Sequence, residues 1–298
     1  MNALNSVDII VPIYNAYDDL TKCIASVYQM TDLSLHRLIL IDDNSSDPRV
    51  LPYLTSIQGG NIIVIHNDIN KGFSANVNMG MRNSDHDVIL LNSDTIVTSN
   101  WIDKIYTCAY SDEQIATVTP LSNSATLASV PVFGVDNRLP AHVTIDRMSN
   151  IIERCSLREY PRIPVAVGFC MFIKRVVINS IGFFDEETFG RGYGEENDFC
   201  YRAELYGYKQ VLCDDTFIYH KGTGSFLSEE KEKLIQEHIG ILEDRYPEFM
   251  KATHLYCMEN PHQFIRDNIN IHLNFENDKR NLLYVLHADI DEAAENHI

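Results

Sequence analysis

The chain has 298 residues and 45% hydrophobic content, enough for one large domain, or a medium domain with an appendage, around a buried core. With 24 Lys and Arg against 42 Asp and Glu, its formal charge of −18 repels nucleic-acid backbones and anionic lipid surfaces, which argues against nucleic acid as a partner. An anionic substrate would then need a local cation, and a bound metal is an economical source of one.

No stretch approaches the run of about 20 apolar residues that spans a bilayer, so no transmembrane segment is expected. The first residues, MNALNS, lack the basic and apolar regions of a secretory signal. The expectation is a soluble cytoplasmic protein, with peripheral attachment at the inner face of the plasma membrane as its one membrane contact. Seven scattered cysteines without CxxC spacing read as reduced thiols, neither a disulfide frame nor a zinc site.

Val7–Pro12 is a short apolar run stopped by proline, which predicts a buried strand. Leu20, Ile24 and Val27 then recur at helical spacing over 17–29, with Asp18 and Asp19 in the first turn where the helix dipole favours anions. A strand at 37–41, a helix after Asp47-Pro48, a strand at 61–66, a helix at about 73–83 and a strand at 88–91 follow. This alternation predicts a mixed, mostly parallel α/β sheet with helices on both faces, in which ligands bind at the carboxyl ends of the strands. Tyr14-Asn15, Asp42-Asp43-Asn44, Asn67–Lys71 and Asn92-Ser93-Asp94 each follow a strand end.

From about 120 to 164 five prolines break the pattern around one helix near 144–157, an excursion of the kind used for binding loops. A strand over Val165–Ile173 follows, then a turn at 182–185. Gly190-Arg191-Gly192-Tyr193-Gly194 leads into a helix that starts near Glu195, and residues 209–220 read as one or two strands ending at His220. Residues 228–245 carry a helical apolar face. Leu282–Ala288 reads as a buried strand with few residues after it, expected to open a further domain or to extend the sheet edge.

Each polar cluster also has a plain structural reading. Asn92-Ser93-Asp94 suits a hard cation such as Mg2+ or Mn2+, yet short polar triplets also start turns. Glu195, Glu196 and Asp198 are acids that the dipole of a helix start alone would favour; the preceding glycines allow close approach to a substrate. A carboxylate beside a second acid has a raised pKa, suited to taking a proton from a sugar hydroxyl. Asp47 reads as a helix cap before Pro48 at the first helical position, which leaves Asp42 and Asp43 at the ligand edge. Asn70–Asn76 resembles a phosphate-facing helix start without matching GxxxxGK[ST] or GxGxxG. His220-Lys221 suits a metal ligand beside a phosphate contact, although a lone histidine is more often structural. No GxSxG or Cys/His pair supports a nucleophilic hydrolase.

Taken in order, VDIIVPIYNAYDDLTKCIASV (7–27), LIDDNSSD (40–47), NKGFSANVNMGM (70–81), LLNSDT (90–95), VGFCMFIKRVVINSIGFFDE (167–186), GYGEENDFCYRAELYGYK (192–209) and HKGTGSF (220–226) resemble family 2 of the glycosyltransferases, with the GT-A fold. They span about three-quarters of the chain, and their order is far more specific than any one of them.

The resemblance implies a GT-A domain over 1–226, a helical extension over 227–280 and a tail over 281–298, possible start of a further domain or of a fusion to other glycosyltransferase domains. It implies that Pro12, Tyr14, Asn15, Asp42 and Asp43 line a nucleoside pocket, with Lys71, Asn76, Asn92 and Ser93 also toward the nucleotide sugar. Asp94 and His220 fall at metal positions, and Glu196, with Glu195 beside it, at the position of the catalytic base. The implied function is inverting, divalent-metal-dependent hexosyl or deoxyhexosyl transfer. A dTDP- or UDP-sugar would be the donor, and a bacterial surface glycan or lipid-linked glycan the acceptor, as in rhamnosyltransferases.

Two positions depart from the family pattern. Asn92 replaces the first aspartate of the DXD motif, which turns that position toward a ribose contact. Glu196 replaces the usual aspartate, which adds a methylene of reach. Asn92 also keeps in view a non-catalytic sugar-nucleotide or glycan-binding module.

Overall fold

The computed structural model describes residues 5–222 and 229–275. In chain order these form β1 (Val7–Ile13), α1 (Tyr17–Met30), β2 (Arg37–Asp42), α2 (Val50–Ser56), β3 (Ile62–His66), α3 (Phe73–Arg82), β4 (Asp87–Leu91), β5 (Thr95–Ile96), α4 (Trp101–Ala109) and β6 (Ile115–Leu121). A 3-10 turn at Thr126–Ala128 precedes α5 (Ile145–Cys155), β7 (Arg162–Ile163), β8 (Cys170–Ile173), α6 (Arg175–Ile181), α7 (Glu186–Phe189), α8 (Glu195–Leu205), β9 (Lys209–Phe217), β10 (Tyr219–His220), α9 (Glu229–Arg245), α10 (Pro247–Glu259) and α11 (Gln263–Phe275). The strand expected at Leu282–Ala288, and residues 223–226 of the last motif, lie outside the described residues.

Eight strands make one sheet in the order β3-β2-β1-β4-β8-β6-β9-β7. Only β8 and β7 run against the rest. β1 shows why its sequence is apolar apart from Asp8, whose buried carboxylate pairs with Arg37. Successive side chains point to opposite faces: Ile9 and Val11 join the core under α1 and α4, while Ile10 joins the core under α3 and α8. Both faces are covered, so no position is left for a polar alternation.

The C-terminal helices share these cores. Phe249 of α10 belongs to one, and Ile265, Ile269 and Leu273 of α11 to the other. Arg266, 1% exposed, donates to the carbonyls of Ser129 and Leu127 at 3.0 and 2.6 Å, tying α11 to the turn at 126–128. All seven cysteines are free thiols, as expected.

Two expectations are corrected. The strand over Val165–Ile173 begins only at Cys170, because β4 ends at Leu91, its register partner, and beyond it a single bond from Asn92 N–H to Phe169 O at 2.8 Å is all that continues the pairing. Val167 N–H instead donates to Thr119 Oγ1 at 3.0 Å. Asp47 does not cap α2: Arg49 is the cap residue, and Asp47 Oδ1 accepts Arg49 N–H at 3.0 Å in a turn before the helix.

Gly80 of α3 faces the sheet, where an added Cβ would stand 2.5 Å from Ile10 Cγ2 and 2.9 Å from Ile41 Cδ1. Alanine would gain about 1 kcal/mol of helix propensity, but overpacking a filled core costs about 1–3 kcal/mol. Gly80→Ala is expected to lose up to about 2 kcal/mol in net stability, read as a lower urea midpoint at unchanged slope.

Candidate functional site

A cleft opens beyond the carboxyl ends of β1, β2 and β4. One half, ≈ 610 Å³, is walled by Ile13, Asp43, Asn70, Gly72, Asn76 and Arg191; the other, ≈ 510 Å³, by Asn92, Ser93, Asp94, Asp136, Tyr193 and His220 among others. Pro12, Tyr14 and Phe73 line both halves. Tyr14 is 53% exposed, a ring standing free at the mouth.

In the first half the polar side chains largely hold one another. Asp43 Oδ1 accepts Lys71 N–H at 2.8 Å and Asn67 Nδ2 at 2.9 Å, and Oδ2 accepts Gly72 N–H at 2.9 Å. Asn76 donates to Ile41 O at 3.1 Å and accepts from Asn67. Both line the cavity, but as parts of a brace that fixes the 70–72 turn against β2.

Asp42 is fully buried and is not a cavity wall; its carboxylate accepts Ser45 N–H at 3.0 Å and lies 2.7 Å from His66 Nδ1. Asn15 clamps the facing loop, accepting from the backbone of Ser46 and Asp47 at 2.8 and 2.9 Å. Lys71 is exposed and outside both sets of walls.

In the second half Asp94 and His220 meet, with Asp94 Oδ1 3.2 Å from His220 Nε2. β10 pairs with β5 so that His220 lies opposite Thr95, next to Asp94. His220 Nδ1 donates to Ser124 O at 2.5 Å, and Phe169 stacks on the ring at 5.2 Å. With Nδ1 bearing that hydrogen, Nε2 is the nitrogen left for a cation or proton beside Asp94.

Burial alone would push His220 down, but the hydrogen bond and charge of Asp94 outweigh it and hold the imidazole above its ordinary value. Burial pushes Asp94 up, yet His220 and Lys221 win and hold it below the usual carboxylate range. A carboxylate and an oriented imidazole are a donor set that fits a divalent cation. Among the described residues no group of three His, Cys, Asp or Glu side chains converges on one point, so such an ion would draw its remaining ligands from substrate and water. Lys221 turns away from the cleft to Asp19, 2.7 Å away.

Glu195 and Glu196 open α8, and neither is itself a wall of the cleft. Glu195 is 2% exposed, and its Oε2 accepts Gly194 N–H at 2.9 Å. Glu196 is half-buried against Gly168, where an added β-carbon would meet its carboxylate and force that side chain to move. Burial, then the charge of Glu196, pushes Glu195 well above the usual carboxylate range. Burial raises Glu196 as well, opposed by Gly168 N–H and by the hydrogen bond with Glu195. That hydrogen bond favours the proton on Glu195, leaving Glu196 as the charged partner.

Sequence reasoning missed Arg191, Tyr193, Phe73, Asp136 and Gly168. The signal for Arg191 and Tyr193 was present in the glycine-rich loop that carries them. Gly168 had no local signal, because its role depends on a carboxylate 28 positions away.

The family model for glycosyl transferase family 2 matches residues 8–182. The fold is similar to that of GalNAc-T7 with UDP, GalNAc and Mn2+ (TM-score 0.61, 15% identity, 91% of this chain and 55% of that one). It is similar to the mannosyltransferase PcManGT from Pyrobaculum calidifontis in complex with GDP-Man and Mn2+ (0.58, 14%, 93% and 76%). It is also similar to S. aureus TarS 1-349 in complex with UDP-GlcNAc (0.51, 15%, 80% and 66%). This chain thus spans little more than half of GalNAc-T7, and at these identities the likeness carries the fold alone. No curated protein sequence matches it. With more than half of its length matched by the family model, on a sheet of the GT-A kind, the chain belongs to glycosyl transferase family 2.

Proposed function

We propose that this glycosyltransferase moves a hexosyl or deoxyhexosyl unit from a dTDP- or UDP-sugar to a hydroxyl of a bacterial surface glycan or lipid-linked glycan, inverting the anomeric carbon. The observation that carries the reading is the Asp94–His220 pair, 3.2 Å apart on the wall of the donor-sized cleft, with the imidazole oriented by Ser124 O. The Mn2+ in the GalNAc-T7 and PcManGT complexes supports a divalent ion here, Mg2+ or Mn2+. Asp94 and His220 would hold it, and when bound it offsets the charge that gathers on a departing diphosphate.

The chain's own residues supply the rest. Pro12, Tyr14 and Phe73 frame the junction of the two halves, and the Asp43 brace keeps the nucleotide edge from yielding. Glu196 takes the proton of the acceptor hydroxyl as it attacks in line. Its raised pKa strengthens it as a base, while Gly168 N–H and Glu195 keep it ionised. Residues 1–226 are the catalytic unit and 227–280 the helical extension. No helix among the described residues is long and apolar enough to cross a membrane, which is compatible with work in the cytoplasm or at the inner face of the plasma membrane.

Glu196→Gln is expected to cut turnover by about 10²–10⁴-fold with donor affinity retained, measured as kcat and as nucleotide-sugar Kd; near-normal turnover would remove Glu196 from the mechanism. His220→Ala is expected to abolish the Mn2+-dependent part of thermal stabilisation by UDP. In the wild type Mn2+ affinity should rise with pH, because a proton on Nε2 competes with the ion and His220 holds that proton more tightly than usual. Glu195 also binds its proton more tightly folded than unfolded. Between the ordinary carboxylate pKa and the raised one the folded state carries more protons, so stability falls as pH rises through that window. Glu195→Gln is expected to melt above the wild type at about pH 8 and to lose that advantage as pH falls toward about 4.

A further inference from the structure

We propose that Arg191 is the protein's own cation for the donor diphosphate, presented to the cleft by a loop pinned on both sides of it; the proposal rests on the donor reading above. The chain carries a net −18, and the cleft walls hold Asp43, Asp94 and Asp136. Among the described residues that line the two halves, Arg191 is the only arginine or lysine.

Several arginines elsewhere are engaged by acids: Arg37 pairs with Asp8, Arg202 with Asp198, Arg245 with Asp185. Arg191 has no hydrogen-bond or ion-pair partner among the described residues. The nearby acids do not capture it, because each is already engaged. Asp43 accepts three N–H donors, Asp94 faces His220, and Asp136 accepts Ser124 Oγ at 2.5 Å. A guanidinium left unpaired beside satisfied carboxylates is available to an incoming anion, and its fork of donors matches phosphoryl oxygens.

The backbone around it is held. Gly190 O accepts Ser74 N–H at 3.3 Å, and Ser74 Oγ donates to Phe189 O at 2.6 Å. One residue beyond Arg191, Gly192 O accepts His238 Nδ1–H from α9 at 2.8 Å. His238 is 5% exposed and packs edge-on against Phe189. The anchors hold the main chain and leave the Arg191 side chain exposed. Little ordering of the backbone then remains to be done on binding.

The test titrates UDP, dTDP and GDP, each with MnCl2, and the matching nucleosides, into the wild type, Arg191→Ala and Arg191→Lys. The expected result is a loss of roughly tenfold or more in diphosphate affinity for Arg191→Ala, with part of it recovered by lysine. Nucleoside affinity and the melting temperature without ligand should stay at wild-type values. Diphosphate binding by Arg191→Ala within about twofold of the wild type overturns the proposal, as does an equal loss of nucleoside and diphosphate, which would mark a role in cleft shape. A wild type that binds none of the three diphosphates overturns the donor reading itself, and this proposal with it.

Discussion

Two residues of antiparallel pairing, Tyr219 against Ile96 and His220 against Thr95, hold the cleft's second half together. They carry a late segment of the chain to the end of β4 and set an imidazole beside Asp94. A ladder this short is not stable alone, and its neighbours make up the deficit. Lys221 N–H donates to Asp94 O at 3.1 Å. Asn123 grips the His220 backbone from the other side, donating to its carbonyl at 2.8 Å and accepting its N–H at 2.9 Å. Phe169, from the segment before β8, stacks on the ring. Four separate stretches of sequence thus converge on one imidazole.

The electrostatics of the other acids follow from the same crowding. Two carboxyls at one helix start, taken out of water, cannot both ionise cheaply. The helix start supplies a backbone donor for Glu195, and Gly168 supplies another for Glu196. The arrangement gives up some folding stability at neutral pH in exchange for a more basic carboxylate, a common tension where a fold carries a reaction.

Elements with strong patterns were legible. β1, α1, β2, α3 and β4 match the sequence reading to within one or two residues, because runs buried on both faces and helices with one apolar stripe leave few alternatives. Reading from pattern assigns nothing to α4 or β6, although Trp101, Ile102 and Ile105 share a face, since the polar Asn92–Asp94 triplet draws attention to the loop before them. Polar positions were legible as belonging to the ligand edge but not by task. Asp42 and Asn15 lie in segments that suggest a ligand, yet their side chains are taken up by Ser45, His66 and the 45–47 loop. What a buried carboxylate does depends on which donors the fold brings to it. Here some of those donors lie only a few positions along the chain and others more than twenty away.

The α9 clamp on the glycine-rich loop has a consequence for the order in which the protein acquires its site. Strands β1 to β4 are near neighbours in sequence and can pair early, while His220 and His238 come long after Asp94. Contacts that close such long loops form late in folding. A chain emerging from the ribosome would build its nucleotide edge first and stay without a finished cleft until α9 has been made. The half-made chain thus lacks both the imidazole beside Asp94 and the His238 anchor of the glycine-rich loop.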